Sequence, residues 1–418
     1  MDSKTLRRAL LLVTLFVAAV FLLILVFNGT FDKKHDSPVA MAETEEEICD
    51  ENGYIYGSDL SAWMSDETFF DAYVIGDGKY DIKEEDKKPV VLNASSVEKD
   101  LRIKILDADG NLVKGQMFVV NVEGVGEYED ADRDGYVHVS DLKSGQYEIT
   151  LADALGYMTP SEPLKCTVKA NIEYKSIADI SYLIKTEADI DAAREDTCDS
   201  DADDETTGNS AVRTADDAKF GIDVSKFNGD INWETVAGSE VKFAIIRCGY
   251  RGSKSGAIVV DPYFDVNIKG ATDNDIPVGV YFFSQATNEV EAVEEASAVL
   301  NLIKAYNVKY PVFIDSESAG GSGRADSLDE STRSKICQAF CETIRSGGYK
   351  AGIYASKNWF NSKLDITKLS ADNVTWLAEY SDTPTYGATY QMWQYSSAGS
   401  IAGIDGRVDM NLSYLDIE

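Results

Sequence analysis

Two hydrophobic rhythms divide the interpretable part of the chain. From residue 220 onward, short apolar runs rich in branched and aromatic side chains alternate with stretches of helical periodicity. The runs at 220–224, 243–248, 278–283, 312–315, 351–355, 374–378, 390–394 and 408–412 read as strands, and 289–307 and 331–346 as helices. Strands with helices between most of them predict a (β/α) barrel, irregular because little helix separates the last strands. Between 97 and 186 the period shortens to two. Leu101-Arg102-Ile103-Lys104-Ile105 alternates, Asp109-Gly110 marks a tight turn, and further short strands are expected at 117–122, 136–139 and 145–151. That spacing predicts a small all-β sandwich.

A third pattern opens the chain. Residues 9–27 are uncharged and mostly apolar. At ~1.5 Å per residue they span roughly 28 Å, one hydrocarbon core, so a transmembrane helix is expected. Lys4, Arg7 and Arg8 precede it, which favours an N-terminus inside and everything after the anchor outside. The alternative is a secretory signal cleaved near Ala40-Met41-Ala42. The expected organisation is therefore multidomain: 1–28 cytoplasmic tip and anchor, 29–96 extracellular without assignment, 97–186 sandwich, 187–219 linker and 220–418 barrel. The linker is dense in Asp and Glu and lacks aromatics, so it is expected to be extended.

Charge narrows the function classes. The 72 acidic residues outnumber the 39 basic ones, for a formal net charge of -33. Such a balance argues against nucleic acid, whose phosphates need Lys and Arg, and against a peripheral grip on anionic lipid. The six cysteines, at 49, 166, 198, 248, 337 and 341, fit no zinc spacing, and only His35 and His138 are present to help. Cys337 and Cys341 share a helix face, as core residues do. Asp130, Asp132, Asp134, Gly135 and Asp141 match much of a calcium loop, but strand-like flanks favour a hairpin turn with solvated acids. No metal and no cofactor is expected.

Chemistry concentrates in the barrel, where catalytic groups gather at the C-terminal ends of strands. Asp223 ends the first strand, Asp315 and Glu317 the fourth, Glu379 follows Trp376-Leu377-Ala378, and Asp409 lies in the last. Strand alternation puts Asp315 and Glu317 on one face, about 6.7 Å apart, with Phe313 on the same face. Two close carboxylates hold one proton by mutual repulsion, which a glycosidic general acid requires. Tyr250, Tyr281, Trp376, Tyr380, Trp393 and Tyr395 lie at or near strand ends, and as a set they suggest rings on which sugar faces pack.

The segments "GIDVSKFNGDINW", "VGVYFFSQA", "PVFIDSES", "GIYAS", "TWLAEY" and "MWQYSSAGSIAGIDGRVDMN" occur in an order that resembles glycoside hydrolase family 25 lysozymes over 220–418. The resemblance implies an N-acetylmuramidase that cuts the β-1,4 bond between N-acetylmuramic acid and N-acetylglucosamine in peptidoglycan, with net retention. It implies Glu317 as proton donor and Asp223, Asp315 and Asp409 as the other catalytic acids. It implies Tyr250, Tyr281, Trp376, Glu379, Tyr380, Trp393, Gln394 and Asn411 as substrate-binding residues. Asp315 either orients a substrate acetamido group or stabilises the oxocarbenium ion. Arg247-Cys248-Gly249-Tyr250-Arg251-Gly252 and Tyr281-Phe282-Phe283 depart from common family segments and bear on subsite preference. The rival readings are a wall-binding surface protein with a dead barrel and a chitinase-type hydrolase. The second lacks the aspartates expected before Asp315, where Phe313 and Pro311 stand. The middle segment resembles collagen-adhesin B-type (prealbumin-like) repeats, many of which carry a Lys–Asn crosslink aided by an acid. Here the matching position holds Leu151, so no crosslink is expected, and the sandwich is read as a spacer.

Overall fold

The computed structural model describes residues 87–178, 180–193 and 218–417. The expected anchor at 9–27, the segment 29–86 and the acidic run at 194–217 lie outside the described residues, as do Cys49 and Cys198. Among the described residues no helix is long and apolar enough to cross a membrane.

The first part is the sandwich. Its strands are β1 (Lys88–Pro89), β2 (Val91–Ser95), β3 (Leu101–Leu106), β4 (Val119–Val122), β5 (Gly126–Glu129), β6 (Tyr136–Val139), β7 (Gly145–Leu151), β8 (Tyr157–Met158) and β9 (Leu164–Val168). One sheet runs β2-β3-β6 and the other β5-β4-β7-β9, with a small β1-β8 pair beside them. Leu101, Ile103 and Ile105 from β3 meet Val120, Val122 and Ile149 in a shared core. The sandwich begins at Lys88, earlier than residue 97, because β2 pairs with β3 along its whole length. The acidic turn before β6 is organised by Asp130, whose carboxylate is buried and accepts from the backbone N–H groups of Asp134 and Gly135. Burial pushes the Asp130 carboxyl up to about 6 against those bonds. Asp132 and Asp134 lie beside it, whereas Asp141 stands apart at the end of β6.

β3 departs from simple alternation. Its outward residues, Arg102 and Lys104, are 2% and 5% exposed. The segment that covers them was expected to belong to the sandwich or to an extended linker, and neither expectation holds. Tyr174, Ile177, Ile180, Tyr182, Leu183 and Ile184 pack into the core around the barrel. Strand β10 (Ile184–Lys185) adds to a barrel strand pair, and helix α1 (Glu187–Ala193) follows it. The physical reason is the apolar content of 174–186, which buries against a barrel helix better than it could be solvated. Lys104 points at this tether, with its ammonium 4.6 Å from the centre of the Tyr182 ring. It thus lies on the opposite face of β3 from the core that holds Leu151.

The second part is the barrel. Strands β11 (Lys219–Val224), β12 (Phe243–Arg251), β14 (Val278–Phe283), β15 (Val308–Asp315), β16 (Ala351–Ser356), β17 (Val374–Ala378), β18 (Met392–Gly399) and β19 (Val408–Ser413) form a closed ring, with β13 (Ile258–Val260) outside it. All neighbours are parallel except β19, which is antiparallel to both β18 and β11. Helices α2 (Trp233–Ala237), α3 (Phe264–Asp273), α4 (Glu289–Ile303), α5 (Glu330–Ser346) and α6 (Lys357–Ser362) lie between strands. Asn288, Asp329 and Ser356 cap α4, α5 and α6 by accepting a backbone N–H of the first turn. The irregularity expected near the C-terminus is real: no helix joins β17, β18 and β19.

Aromatic rings fill the barrel. Phe243 stacks on Tyr310 at 4.5 Å, and Trp376 packs against Phe313 at 5.0 Å and Tyr354 at 4.6 Å. Gly352 makes room for one of them: a Cβ there would strike the Phe313 ring and stand 2.6 Å from the Val374 carbonyl. Cys248, Cys337 and Cys341 are buried free thiols in the layer between barrel and helices, and Cys166 is a half-buried free thiol in the sandwich.

Candidate active site

The parallel strands end on one side of the barrel, and a cleft of about 1070 Å³ opens there. Asp223 reaches it from the end of β11, Asp315 from the end of β15 and Glu317 from the loop beyond. Asp409 arrives from the other direction. Because β19 is antiparallel, its first residues, not its last, lie on this side, and Asp409 is the register partner of Asp223.

A ladder of buried amides holds Asp223. Asn411 donates to its Oδ2 at 2.7 Å and Gln394 at 3.0 Å. Trp376 Nε1 fixes the Asn411 carbonyl oxygen at 2.8 Å, so that the Asn411 amide N–H group faces Asp223. The Gln394 oxygen accepts from Tyr354 at 2.8 Å and Tyr380 at 3.0 Å. Both tyrosine hydroxyls are therefore pinned as donors. Burial first, and then neighbouring acidic groups, Tyr380 and Glu317 for Tyr354 and Asp409 and Glu317 for Tyr380, push both phenols well above their ordinary range, so they remain protonated.

The opposite wall is built around Glu379. Its Oε1 accepts from Lys357 at 2.8 Å, and its Oε2 accepts from the backbone N–H groups of Thr385 at 2.9 Å and Tyr386 at 3.1 Å. Burial alone would raise its pKa, but Lys357, Thr385 and those backbone donors outweigh it and hold the carboxyl below the ordinary value. Glu379 is thus a fixed anion, committed to shaping the loop after β17.

The cleft brings together Asp223, Asp315, Glu317, Asp409, Tyr281, Trp376, Glu379, Tyr380 and Gln394. Three expected substrate-binding residues are placed elsewhere. Asn411 is fully buried beneath the cleft and acts on Asp223. Trp393 is fully buried on the outer face of β18, among the residues between barrel and helices, and its Nε1 donates to the Glu379 carbonyl at 2.8 Å. Strand parity explains this, since Gln394 faces inward and its neighbours must face out. Tyr250 is 2% exposed, packed with Ile190 of α1, and its hydroxyl bonds Glu187 at 3.2 Å. The start of the segment read as linker covers it.

Sequence reasoning passed over Phe227, Asn228, Tyr354, Lys357, Trp359, Asp405 and Arg407, which also line the cleft. Tyr354 was findable, since Gly352-Ile353-Tyr354 is a strand whose parity points Tyr354 inward. Lys357 and Trp359 lie in the short helix α6, Phe227 and Asn228 in a single 3-10 turn after β11, and Asp405 and Arg407 in the loop before β19, none of which the strand pattern places.

Comparison with known proteins follows the same boundaries. Residues 222–404 match the model of the family described as "Glycosyl hydrolases family 25". The chain is 27% identical over 199 residues to the "Uncharacterized protein YegX" of Escherichia coli (strain K12), covering 46% of this chain and 68% of that protein. It is 25% identical over 192 residues to the "Autolytic lysozyme" of Clostridium acetobutylicum, covering 46% of this chain and 54% of that one. It is also 25% identical over 200 residues to "Lysozyme M1" of Streptomyces globisporus, 46% of this chain and 66% of that one. Among solved structures, the catalytic domain of endolysin ply40 from bacteriophage P40 of Listeria monocytogenes is similar with a TM-score of 0.40 and 23% identity, over 48% of this chain and 94% of that one.

Proposed function

We propose that the C-terminal region of this chain, a family 25 glycoside hydrolase domain of the lysozyme type, cuts peptidoglycan glycan strands at the β-1,4 bond from N-acetylmuramic acid to N-acetylglucosamine, with net retention. One observation carries this reading: Asp223, Asp315, Glu317 and Asp409, from three separate parts of the sequence, line a single cleft with Tyr281, Trp376 and Tyr380. A glycan strand needs that combination of proton donor, charge-stabilising carboxylate and flat apolar walls.

Glu317 lies in the loop just beyond β15, where it lines the cleft, and it is the group that protonates the glycosidic oxygen. Asp315, anchored at the strand end, faces the sugar that develops positive charge, stabilising it or orienting the acetamido group. Asp223 keeps a fixed direction through its two amide donors and contributes negative charge opposite Asp409. The protonated phenols of Tyr354 and Tyr380 hold the Gln394 amide in the orientation that serves Asp223.

The test is digestion of purified peptidoglycan with mass analysis of the ends released. Muramic acid reducing ends are expected. Glu317→Gln keeps the shape and removes the proton, so turnover should fall by roughly 100-fold or more while the fold survives. Near-wild-type turnover in a folded Glu317→Gln protein removes Glu317 from that role. We further propose that residues 9–27 anchor the protein with the barrel outside, a reading that rests on the run itself and the basic residues before it. Protease added to intact cells should then release the barrel. A chain that resists external protease and is cut only after lysis places the barrel inside.

A further inference from the structure

The cleft is lined by acids, yet the substrate proposed for it is itself acidic. Its cations therefore decide how an anion is received. Lys357 is held by Glu379 at 2.8 Å. Arg407 also lines the cleft, is exposed, and among the described residues makes no ion pair. Its backbone is nonetheless fixed, because the Asn228 side chain donates to its carbonyl at 3.2 Å.

The same Asn228 organises the turn that carries Phe227. Its Oδ1 accepts from the Ser225 N–H at 2.9 Å, and Ser225 Oγ accepts from the Phe227 N–H at 3.3 Å. Phe227 lines the cleft with 56% of its surface exposed, so its ring is open to a ligand there. The Arg247 guanidinium lies 4.9 Å from the ring centre and braces it. The placement follows from register. Asp223 and Asp409 are partners on adjacent strands, the turn after Asp223 bears Phe227, and the loop before Asp409 bears Arg407. The turn that bears Phe227 and the backbone of Arg407 are thus laced together immediately outward from two of the cleft acids, and both side chains line the cleft.

We propose that Phe227 and Arg407 form a subsite for an acidic sugar, the ring packing against the pyranose face and the guanidinium taking the carboxylate of its lactyl ether. The inference rests on the peptidoglycan reading of the cleft. A lactyl carboxylate hangs from the sugar that the ring holds, so a cation beside the ring meets it; a stem-peptide carboxylate lies farther away. That carboxylate is free only where the stem peptide is gone, since peptide attachment makes it an amide. The subsite therefore favours strands from which an amide-hydrolysing reaction has already removed the peptides.

The test compares the full chain on three probes: peptide-free glycan strands with free lactyl carboxylates, the same strands methyl-esterified, and peptide-bearing peptidoglycan. Wild type should show a KM for the free acid about tenfold below that for the ester, the size of one charge-assisted hydrogen bond. Arg407→Gln should bring that ratio close to one, Arg407→Lys should keep part of it, and Phe227→Ala should raise KM for acid and ester alike with little change in kcat. Both side chains are exposed, so the fold should survive each change. An acid-to-ester ratio that persists in Arg407→Gln overturns the subsite, as does an Arg407→Gln effect confined to the peptide-bearing probe; both leave the peptidoglycan reading standing. Wild-type protein that cuts none of the three probes overturns both.

Discussion

Asp223 shows how one side chain joins packing to chemistry. Its donors Asn411 and Gln394 come from β19 and β18, and each is itself held by an aromatic donor, Trp376 or Tyr354 and Tyr380. Removing any of these leaves a buried amide with an unmet partner, a cost of about 1–3 kcal/mol. The acids of the cleft were legible because they punctuate strand ends, and parity carried Asp315 inward with Phe313. Parity also held the answer for Trp393, one residue from the inward Gln394, although proximity to a motif suggested otherwise. Tyr250 was beyond the reach of parity, since what removes it from the cleft is Glu187 and Ile190, far away in sequence. Tyr250→Phe should therefore leave KM on peptidoglycan unchanged and cost about 1 kcal/mol of stability through the lost bond to Glu187. A several-fold rise in KM, measured alongside the unfolding midpoint, would return Tyr250 to the cleft.

At the scale of elements, α4 gathers ion pairs from both the sandwich and the barrel. Its Glu291 takes Arg324 through two bonds of 2.8 Å, its Glu295 takes Arg251 at 2.8 Å, and its Glu294 is shared between Arg251 at 3.0 Å and Arg102 of β3 at 2.7 Å. Helical periodicity marks 289–307 in the sequence, but it does not say which of Glu291, Glu294 and Glu295 are buried. Glu295 is in fact fully buried. Burial raises its carboxyl to about 7 although Arg251 opposes the shift. An acid with a raised pKa binds its proton more tightly in the fold than in the unfolded chain. Its contribution to stability is therefore greatest below its ordinary value near 4.5 and is lost as pH rises towards 7. Acids with lowered values, such as Glu291 and Glu379, work the other way, so the test is a difference between two proteins. Urea unfolding of wild type and Glu295→Gln at pH 5 and pH 7.5 should show the variant gaining relative stability at the higher pH. An identical pH dependence in both would mean that Glu295 ionises in the fold as it does in water.

On the scale of the molecule, sandwich and barrel are one compact unit rather than beads on a string. Period-two alternation made Arg102 and Lys104 look like solvent-facing residues, and that is why the docking was not legible in the sequence. In the fold, Arg102 lies between Asp100 at 2.8 Å and Glu294 at 2.7 Å, and Tyr182 from the tether packs on Tyr136 of β6 at 4.4 Å. The tether then adds β10 to β13 and sends Ile190 beside Tyr250. A charge buried to this degree costs about 3–5 kcal/mol when its partner is deleted, comparable with a large share of a domain's stability. The sandwich is thus a fixed flank of the barrel, holding the cleft in a set direction with respect to its own strands. The full chain should accordingly show sandwich and barrel unfolding in a single calorimetric transition. Arg102→Ala leaves Glu294 without its sandwich partner and should lower that transition by several degrees or split it, with the sandwich melting first. Two separate transitions in the wild-type protein, one abolished by deleting residues 87–170 and the other unaffected, would show that the sandwich and barrel are energetically independent and that the ion pairs between them contribute no coupling.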